Sequence, residues 1–114
     1  MNEVPLFSSL NIKSITLRNR IVLSPMCQYK AKDGMISDWH LQHYSRFAFS
    51  GLGAAFIEAT GVTPEGRIGH GCTGIWSDGH IEGLSKIAKT FKEYNCASGI
   101  QLAHAGRKAS FLRP

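Results

Sequence analysis

Three short runs of apolar residues along the chain predict buried β-strands. Residues 21–23 and 54–57 are almost continuously apolar, which is typical of parallel strands covered on both faces. Residues 99–102 form a third candidate strand, whose one polar side chain is Gln101. Upstream of these, residues 6–7 and 12–17 predict a small hairpin, because Ile15 and Thr16 favour extended structure.

Two amphipathic helices are predicted between the strands. The first is expected to begin at Ser37 and Asp38, a typical helix start, and to end at Gly51 and Gly53. Its apolar positions fall on one helical face: Leu41, Tyr44, Phe47 and Ala48.

The second helix is predicted to begin at Ser77 and Asp78 and to end near Asn95. Glu82 and Lys86 are spaced for a favourable ion pair on its wet side. Its apolar stripe runs over three turns: Ile81, Leu84, Ile87, Ala88 and Phe91.

The alternation of strands and helices predicts an α/β fold with βαβ crossovers and a parallel sheet. Strand spacing fits the roughly 30 residues of one unit of a TIM barrel, which takes about 250 residues in all. We therefore expect residues 1–114 to be the N-terminal portion of a TIM (β/α)8 barrel, with the remainder of the domain absent. The last strand is expected to expose an apolar edge at Ile100 and Leu102.

Two long loops follow predicted strand ends, at residues 27–37 and 61–76. The first contains a turn signal at Lys32, Asp33 and Gly34. In α/β proteins the carboxyl ends of the strands build the ligand site, so we expect the site on this side of the sheet.

Composition excludes several classes of protein. With 43% hydrophobic and 18% charged residues, the chain is globular. Its net charge of +5 is scattered, with a basic pair only at Arg107 and Lys108 and with Arg113 beyond it, so nucleic-acid binding is not expected. No apolar run approaches the about 18 residues of a spanning helix, and residues 1–5 carry no secretory signal.

The cysteine count indicates the redox compartment. There are three cysteines, Cys27, Cys72 and Cys96, and no CxxC pair. An odd number argues against a disulfide framework and for three free thiols in a reducing compartment, which we take to be the cytoplasm.

The residues after the first predicted strand are suited to hold a flat redox ring. Pro25 removes a backbone donor and rigidifies the strand end, and the Cys27 thiol is a weak donor with a polarisable sulfur. Tyr29 can direct its phenol toward the same strand end. The alternative is structural: Pro25 as a turn residue, Met26 and Cys27 as core residues, and Tyr29 as a rim aromatic.

Gln101 is the second candidate. A buried amide must be hydrogen-bonded, and its donors and acceptor match the edge of a pyrimidine-like ring. Alternatively, neighbouring backbone satisfies it. Glu58, at the end of the second strand, is a candidate buried carboxylate that can also pair with a basic residue from later in the barrel.

No metal or nucleotide motif is present. His40 and His43 share a helical face, but HExxH is absent, and packing at the helix start is the default interpretation. His70, Cys72 and His80 match no zinc module and are treated as loop residues. The glycines of residues 61–76 form neither GxGxxG nor a P-loop.

Taken together, the segments resemble the old yellow enzyme family of flavin-dependent oxidoreductases, over nearly the whole chain. Each segment is weak alone, and their order and spacing make the set specific. Cys27 and Tyr29 resemble the branch sometimes called thermophilic-like. The matching segments are PLF at 5–7, LRNRIV at 17–22, SPMCQY at 24–29, HLQHY at 40–44, EATGV at 58–62, PEGR at 64–67, GIWSD at 74–78 and QLAHAGR at 101–107.

The resemblance implies a TIM barrel that holds FMN at its C-terminal mouth. It implies that NADPH or NADH reduces FMN, which then passes hydride to an activated alkene such as an enone. Tyr29 would face this small-molecule substrate. The residues that it implies at the flavin are Ser24, Pro25, Met26, Cys27, Ala59 and Gln101.

The resemblance also implies residues that this sequence does not contain. They are a later His pair or His/Asn pair for the substrate carbonyl and a later phosphate-binding region. His40 and His43 come far too early to be that pair. The 114-residue chain is therefore expected to be inactive alone, and a homo-oligomer is one assembly considered for the whole protein. The alternative is a non-catalytic truncated protein that assembles through its exposed strand edges.

Overall fold

A computed structural model describes residues 4–112 of the chain, and the expectations about residues 1–3 and Arg113 lie outside this range. Five strands and two α-helices alternate as the sequence predicts, with a single-turn 3-10 helix at Pro5–Phe7, at Asp78–His80 and at Gly106–Lys108. The strands are β1 (Leu10–Ile12), β2 (Ile15–Leu17), β3 (Val22–Leu23), β4 (Ala54–Gly61) and β5 (Ala97–Ala103), and the helices are α1 (Asp38–Ala48) and α2 (Ile81–Glu93).

The main sheet contains three parallel strands in the order β3-β4-β5. Each neighbouring pair is joined by a helical crossover, which confirms the predicted βαβ units. The β4–β5 register shifts partway: Ile57 pairs with Ile100, and Thr60 pairs with Leu102. Two β4 residues, Glu58 and Ala59, therefore face the single residue Gln101. Such a bulge bends a strand and redirects its side chains.

The predicted hairpin exists, but its bounds were wrong. Residues 6–7 belong to the 3-10 helix Pro5–Phe7, with proline at its first position, where the missing N–H costs nothing. Both hairpin strands come from residues 10–17, with Leu10 opposite Leu17. Lys13, with φ of 51°, makes the tight turn between them.

The helices cover one face of the sheet. The core on this face joins Leu23, Ala55 and Ile57 of the sheet to Tyr44 of α1 and Phe91 of α2. The opposite face is open, since Val22 and Phe56 are 45% and 40% exposed. The expectation of strands covered on both faces is therefore wrong for residues 4–112. The hairpin shields part of this open face and leaves a cavity of about 340 Å³ beside Phe56.

Both helix starts use the same device. At each one a serine and a histidine three residues later form a reciprocal capping box: Ser37 with His40, and Ser77 with His80. The second box begins a 3-10 turn, so α2 itself starts at Ile81 rather than at the predicted Ser77. His80 is therefore a buried capping residue and not a loop residue, and its Nε2 lies 2.9 Å from the Asp33 carbonyl oxygen.

The α2 stripe is only partly covered. Ile87 and Phe91 are buried, whereas Ile81 and Ala88 are exposed beside an apolar groove between α2 and β5. The predicted Glu82–Lys86 ion pair is confirmed at 3.3 Å. Asn95 follows the helix with φ of 56°, as expected for a left-handed stop.

Two glycines shape the loops where backbone must turn or pass closely. Asp33 and Gly34 both have positive φ, 52° and 75°, which gives the tight reversal predicted at residues 32–34. Gly53 passes directly against the Asn19 backbone carbonyl, where a Cβ would collide.

The apolar edge that the sequence predicts on the last strand, β5, is exposed only in part. Leu102 is 61% exposed, whereas Ile100 is partly buried against the core. Both residues lie on the same face of β5, because they are two positions apart, but only Ile100 packs against the core. No helix within residues 4–112 is long and apolar enough to cross a membrane.

Candidate functional site

Three consecutive strand ends carry the residues that the sequence singles out. Ser24 follows β3 directly, Ala59 lies at the β4 bulge, and Gln101 faces that bulge from β5. Parallel strands end at the same edge of a sheet, so these residues share one side of the molecule.

The segment after β3 is held in place but remains accessible. Ser24 and Met26 are exposed, whereas Pro25, Cys27 and Tyr29 are half-buried. Tyr29 has φ of 56°, which turns the chain sharply after Cys27.

A buried carboxylate anchors the same segment from behind. The Glu58 side chain is fully buried, and its Oε2 accepts a 2.7 Å hydrogen bond from the Tyr44 hydroxyl. Its Oε1 accepts the Gln28 backbone N–H at 3.3 Å and lies 3.7 Å from His40 Nε2. The Tyr44 hydroxyl in turn accepts the Glu58 backbone N–H at 2.9 Å. Glu58 therefore fixes residue 28, next to Cys27, relative to α1 and β4.

Burial and the Glu58 charge act on Tyr44 together. Desolvation raises the pKa of the Tyr44 phenol well above its ordinary value, and the neighbouring carboxylate adds to that shift. The hydroxyl is therefore a stable hydrogen-bond donor and acceptor at any physiological pH.

Cys72, in the loop after β4, affects the ionisation of Cys27. It raises the pKa of the Cys27 thiol far above its ordinary value, and burial adds to that shift. Cys27 therefore keeps its proton at neutral pH.

Gln101 differs from its expected burial, and Ala59 is buried. Gln101 is exposed, because the open face of β5 has no covering element within residues 4–112, so its amide is not the buried amide that the sequence predicts. Ala59, at the β4 bulge, is only 5% exposed. Their roles at a flavin stay predictions.

The α1 histidines have structural tasks, as the default interpretation expects. His40 accepts the Ser37 N–H at 3.0 Å through Nδ1, which caps the helix. The His43 ring packs edge-on against Tyr44 and Phe47. Burial and the Arg46 charge lower the pKa of His43. Within residues 4–112 no group of three or more His, Cys, Asp or Glu side chains is arranged to hold a metal ion.

Sequence analysis missed two features of this site. The first is the Tyr44–Glu58 hydrogen-bond pair, whose signal is a carboxylate directly after an apolar strand. The second is the effect of Cys72 on the pKa of Cys27, which has no local signal because the two residues lie on different loops.

Solved structures of old yellow enzymes have the same fold as this chain. The old yellow enzyme of a Pichia species superimposes with a TM-score of 0.85 at 27% identity, over 92% of this chain and 28% of that protein. The old yellow enzyme of Trypanosoma cruzi gives 0.82 at 31% identity, over 92% of this chain and 28% of that protein. These likenesses confirm the expected TIM-barrel portion.

Curated relatives are similar over nearly the whole chain. An NADPH dehydrogenase of Geobacillus thermodenitrificans is 51% identical over 111 residues, which is 96% of this chain and 32% of the relative. An NADPH dehydrogenase of Bacillus subtilis is 50% identical over 106 residues, or 91% of this chain and 31% of the relative. The chain thus spans about a third of the length of these relatives. The sequence model of the NADH:flavin oxidoreductase / NADH oxidase family matches residues 5–112, and the chain belongs to this family.

Proposed function

We propose that residues 1–114 form the N-terminal segment of a single FMN-binding TIM-barrel domain. In the whole protein this domain would take hydride from NADPH or NADH and reduce activated carbon–carbon double bonds such as those of enones. The observation that carries the proposal is the grouping of Ser24, Cys27, Ala59 and Gln101 at consecutive strand ends of one parallel sheet. The relatives' name, NADPH dehydrogenase, supports NADPH as the donor.

The segment after β3 is suited to lie against a flat ring. Pro25 has no N–H to satisfy, and the Glu58–Gln28 hydrogen bond holds the segment's far end, so the backbone forms a rigid shelf. FMN would supply the hydride transfer, while the protein orients the ring and tunes its electronics. Ser24, Pro25, Met26, Cys27 and Ala59 are the residues proposed to line it.

Gln101 is proposed to form hydrogen bonds with the polar edge of the ring. Its amide offers two donors and one acceptor, which complement the alternating acceptors and donors of a pyrimidine-like edge. Its exposure leaves this amide free to meet a ligand. Tyr29, half-buried beside Cys27, is proposed to face the substrate.

The proposed partners are small molecules: the nicotinamide donor and the alkene acceptor. The described cysteines are free thiols, which supports a reducing compartment, and we assign the protein to the cytoplasm. Neither nucleic acid nor a membrane is a proposed partner, and a homo-oligomer of the whole protein is compatible with this assignment.

The test uses a whole protein that contains residues 1–114, purified with FMN. Anaerobic NADPH should bleach the flavin absorption band, and 2-cyclohexenone should restore it. Gln101→Ala should weaken FMN binding at least about tenfold, because a hydrogen-bonded polar edge is left unpaired. Gln42→Ala, on the exposed side of α1, is the matched control and should bind FMN normally. A protein that binds no FMN, or an unchanged Gln101→Ala variant, would contradict the proposal.

Exposed strand edges favour one competing function, a non-catalytic assembly. Leu102 is 61% exposed on β5, and an unpaired edge is a template for association. Size-exclusion chromatography of the 114-residue chain distinguishes the two. A discrete oligomer that melts cooperatively would favour assembly, whereas a chain that gains FMN binding only when extended would favour the enzyme.

A further inference from the structure

Gln28 lies in the segment after β3, and the proposed function gives it no task. Its neighbours are Cys27, which is proposed to line the flavin, and Tyr29, which is proposed to face the substrate. The Glu58 carboxylate accepts its backbone N–H at 3.3 Å. The residue is half-buried, so its side-chain amide is available for contacts outside the core.

The Gln28 amide bridges two separate parts of the chain. Its Nε2 donates to the Met26 carbonyl oxygen at 3.0 Å, within the same segment. Its Oε1 accepts the indole N–H of Trp39, a residue of α1, at 3.1 Å. An indole nitrogen only donates and a carbonyl oxygen only accepts, so the amide fits in this orientation alone. The flipped amide would place two donors together on one side and two oxygens together on the other.

Trp39 contacts the segment a second time, through Lys30. The Lys30 ammonium lies over the indole ring, 5.1 Å from its centroid, which is a cation–π contact. Between these two contacts lies Tyr29, whose φ of 56° is a left-handed conformation that residues with a Cβ rarely adopt. The contacts on either side of Tyr29 therefore support a turn that its own backbone preference does not favour.

The hydrogen bond to Met26 also fixes the peptide that joins Met26 to Cys27. A trans peptide is planar, so a fixed carbonyl oxygen sets the direction of the Cys27 N–H on the opposite side. No peptide bond within residues 4–112 is cis. The Gln28 amide thus controls how the backbone is oriented in the stretch that is proposed to lie against the ring.

We propose that Gln28 and Trp39 form a positioning clamp for the segment that lines the flavin and faces the substrate. The clamp acts through the Met26 peptide and the Tyr29 turn, and neither of its residues is proposed to touch the reacting atoms. Its part in catalysis rests on the proposed function, whereas the clamp itself rests on the contacts described above. Hydride transfer needs reacting atoms about 3–3.5 Å apart, so a small displacement of the segment lowers the rate more than the affinity for FMN, which many contacts share.

The clamp itself is tested without turnover, in the whole protein that contains residues 1–114 with isotope-labelled tryptophan. In the magnetic resonance spectrum, Trp39→Phe identifies the Trp39 indole N–H signal by its loss. Gln28→Ala should make hydrogen exchange of that N–H about fivefold faster, because one hydrogen bond is lost, and should leave the Trp76 signal unchanged. Gln42→Ala, which removes an exposed amide from the same helix, should leave both signals unchanged. Unchanged Trp39 exchange in Gln28→Ala would overturn the clamp.

The positioning role is tested by the rate at which the alkene reoxidises the flavin. In Gln28→Glu the carboxylate still accepts the Trp39 N–H, but it has no hydrogen for the Met26 carbonyl oxygen. With enzyme reduced by NADPH and saturating 2-cyclohexenone, the rate constant should fall at least about tenfold, while the Kd for FMN changes less than about threefold. Gln42→Ala should change neither quantity. An unchanged rate constant, or a loss of FMN affinity as large as the loss of rate, would overturn the positioning role.

A double-mutant cycle tests whether Trp39 acts through Gln28. Trp39→Phe keeps an aromatic ring beneath Lys30 but removes the indole donor, so it should lower the same rate constant. In a Gln28→Ala background it should lower the rate constant no further, because the hydrogen bond is already absent. Additive losses would overturn the clamp. A whole protein that binds no FMN would contradict the proposed function, and the exchange measurement would still decide whether the clamp exists.

Discussion

The Tyr44 hydroxyl is the strongest single test of how the site segment is held. Tyr44→Phe keeps the buried ring but removes a donor 2.7 Å from Glu58 Oε2 and an acceptor 2.9 Å from the Glu58 N–H. A hydrogen bond to a charged group contributes about 1.5–3 kcal/mol, and an unsatisfied buried N–H costs about 1–3 kcal/mol. Because a relaxed side chain or a water recovers part of this loss, we expect the free energy of unfolding to fall by about 2–4 kcal/mol.

Urea unfolding, followed by the fluorescence of Trp39 and Trp76, measures this loss. Tyr94→Phe is the matched control, because Tyr94 is 40% exposed and its ring packs against Phe49 without entering the core. The control should change stability by less than about 0.5 kcal/mol. In a Glu58→Gln background the Tyr44→Phe loss should shrink, since a neutral amide accepts a weaker hydrogen bond. Equal losses in Tyr44→Phe and Tyr94→Phe would refute this account of the anchor.

Three further outcomes follow from the packing and electrostatics. Phe91→Ala empties a fully buried site against Tyr44 and should cost about 3–5 kcal/mol in urea unfolding, and a loss below 1 kcal/mol would contradict the described core. Gly53→Ala places a Cβ against the Asn19 carbonyl and should lower the melting temperature. At Gly106 the added Cβ meets nothing within 4 Å, but φ is 58°, so Gly106→Ala should lower the free energy of unfolding by only about 1 kcal/mol. The pKa of His43 lies below its ordinary 6.5 in the folded chain, so the unfolded chain binds more protons below that pH. Stability should therefore fall as pH drops below about 6.5, and His43→Gln should flatten this part of the profile.

Local sequence patterns predicted most of the strands and helices correctly. The apolar runs, the serine starts and the glycine stops locate the strands and helices, because each depends on neighbours within a few residues. The hairpin bounds were wrong because two apolar residues after a proline suit a 3-10 turn as well as a strand. The second helix starts later than predicted because its serine caps a 3-10 turn first.

The candidate site was less accessible to sequence reasoning. Its residues were singled out by their place at strand ends and by a family resemblance, and the resemblance is confirmed by the family match. Their roles at FMN stay predictions. Glu58 was predicted as a buried carboxylate, and its burial is confirmed. Its hydrogen bond from Tyr44 and the effect of Cys72 on Cys27 were not predicted, because each depends on residues that only the folded chain brings together.

The sequence by itself determined the order of elements, the parallel crossovers and the family, since these depend on periodicity and on motif order along the chain. The tertiary structure alone decided that β4 bulges opposite Gln101 and that the Glu58 carboxylate on β4 accepts a hydrogen bond from the Tyr44 phenol on α1. It also decided that Gly71 lets the loop after β4 pass closely against the Tyr29 backbone. These features arise from register and close approach between segments, and no local pattern of side chains encodes a distance between loops.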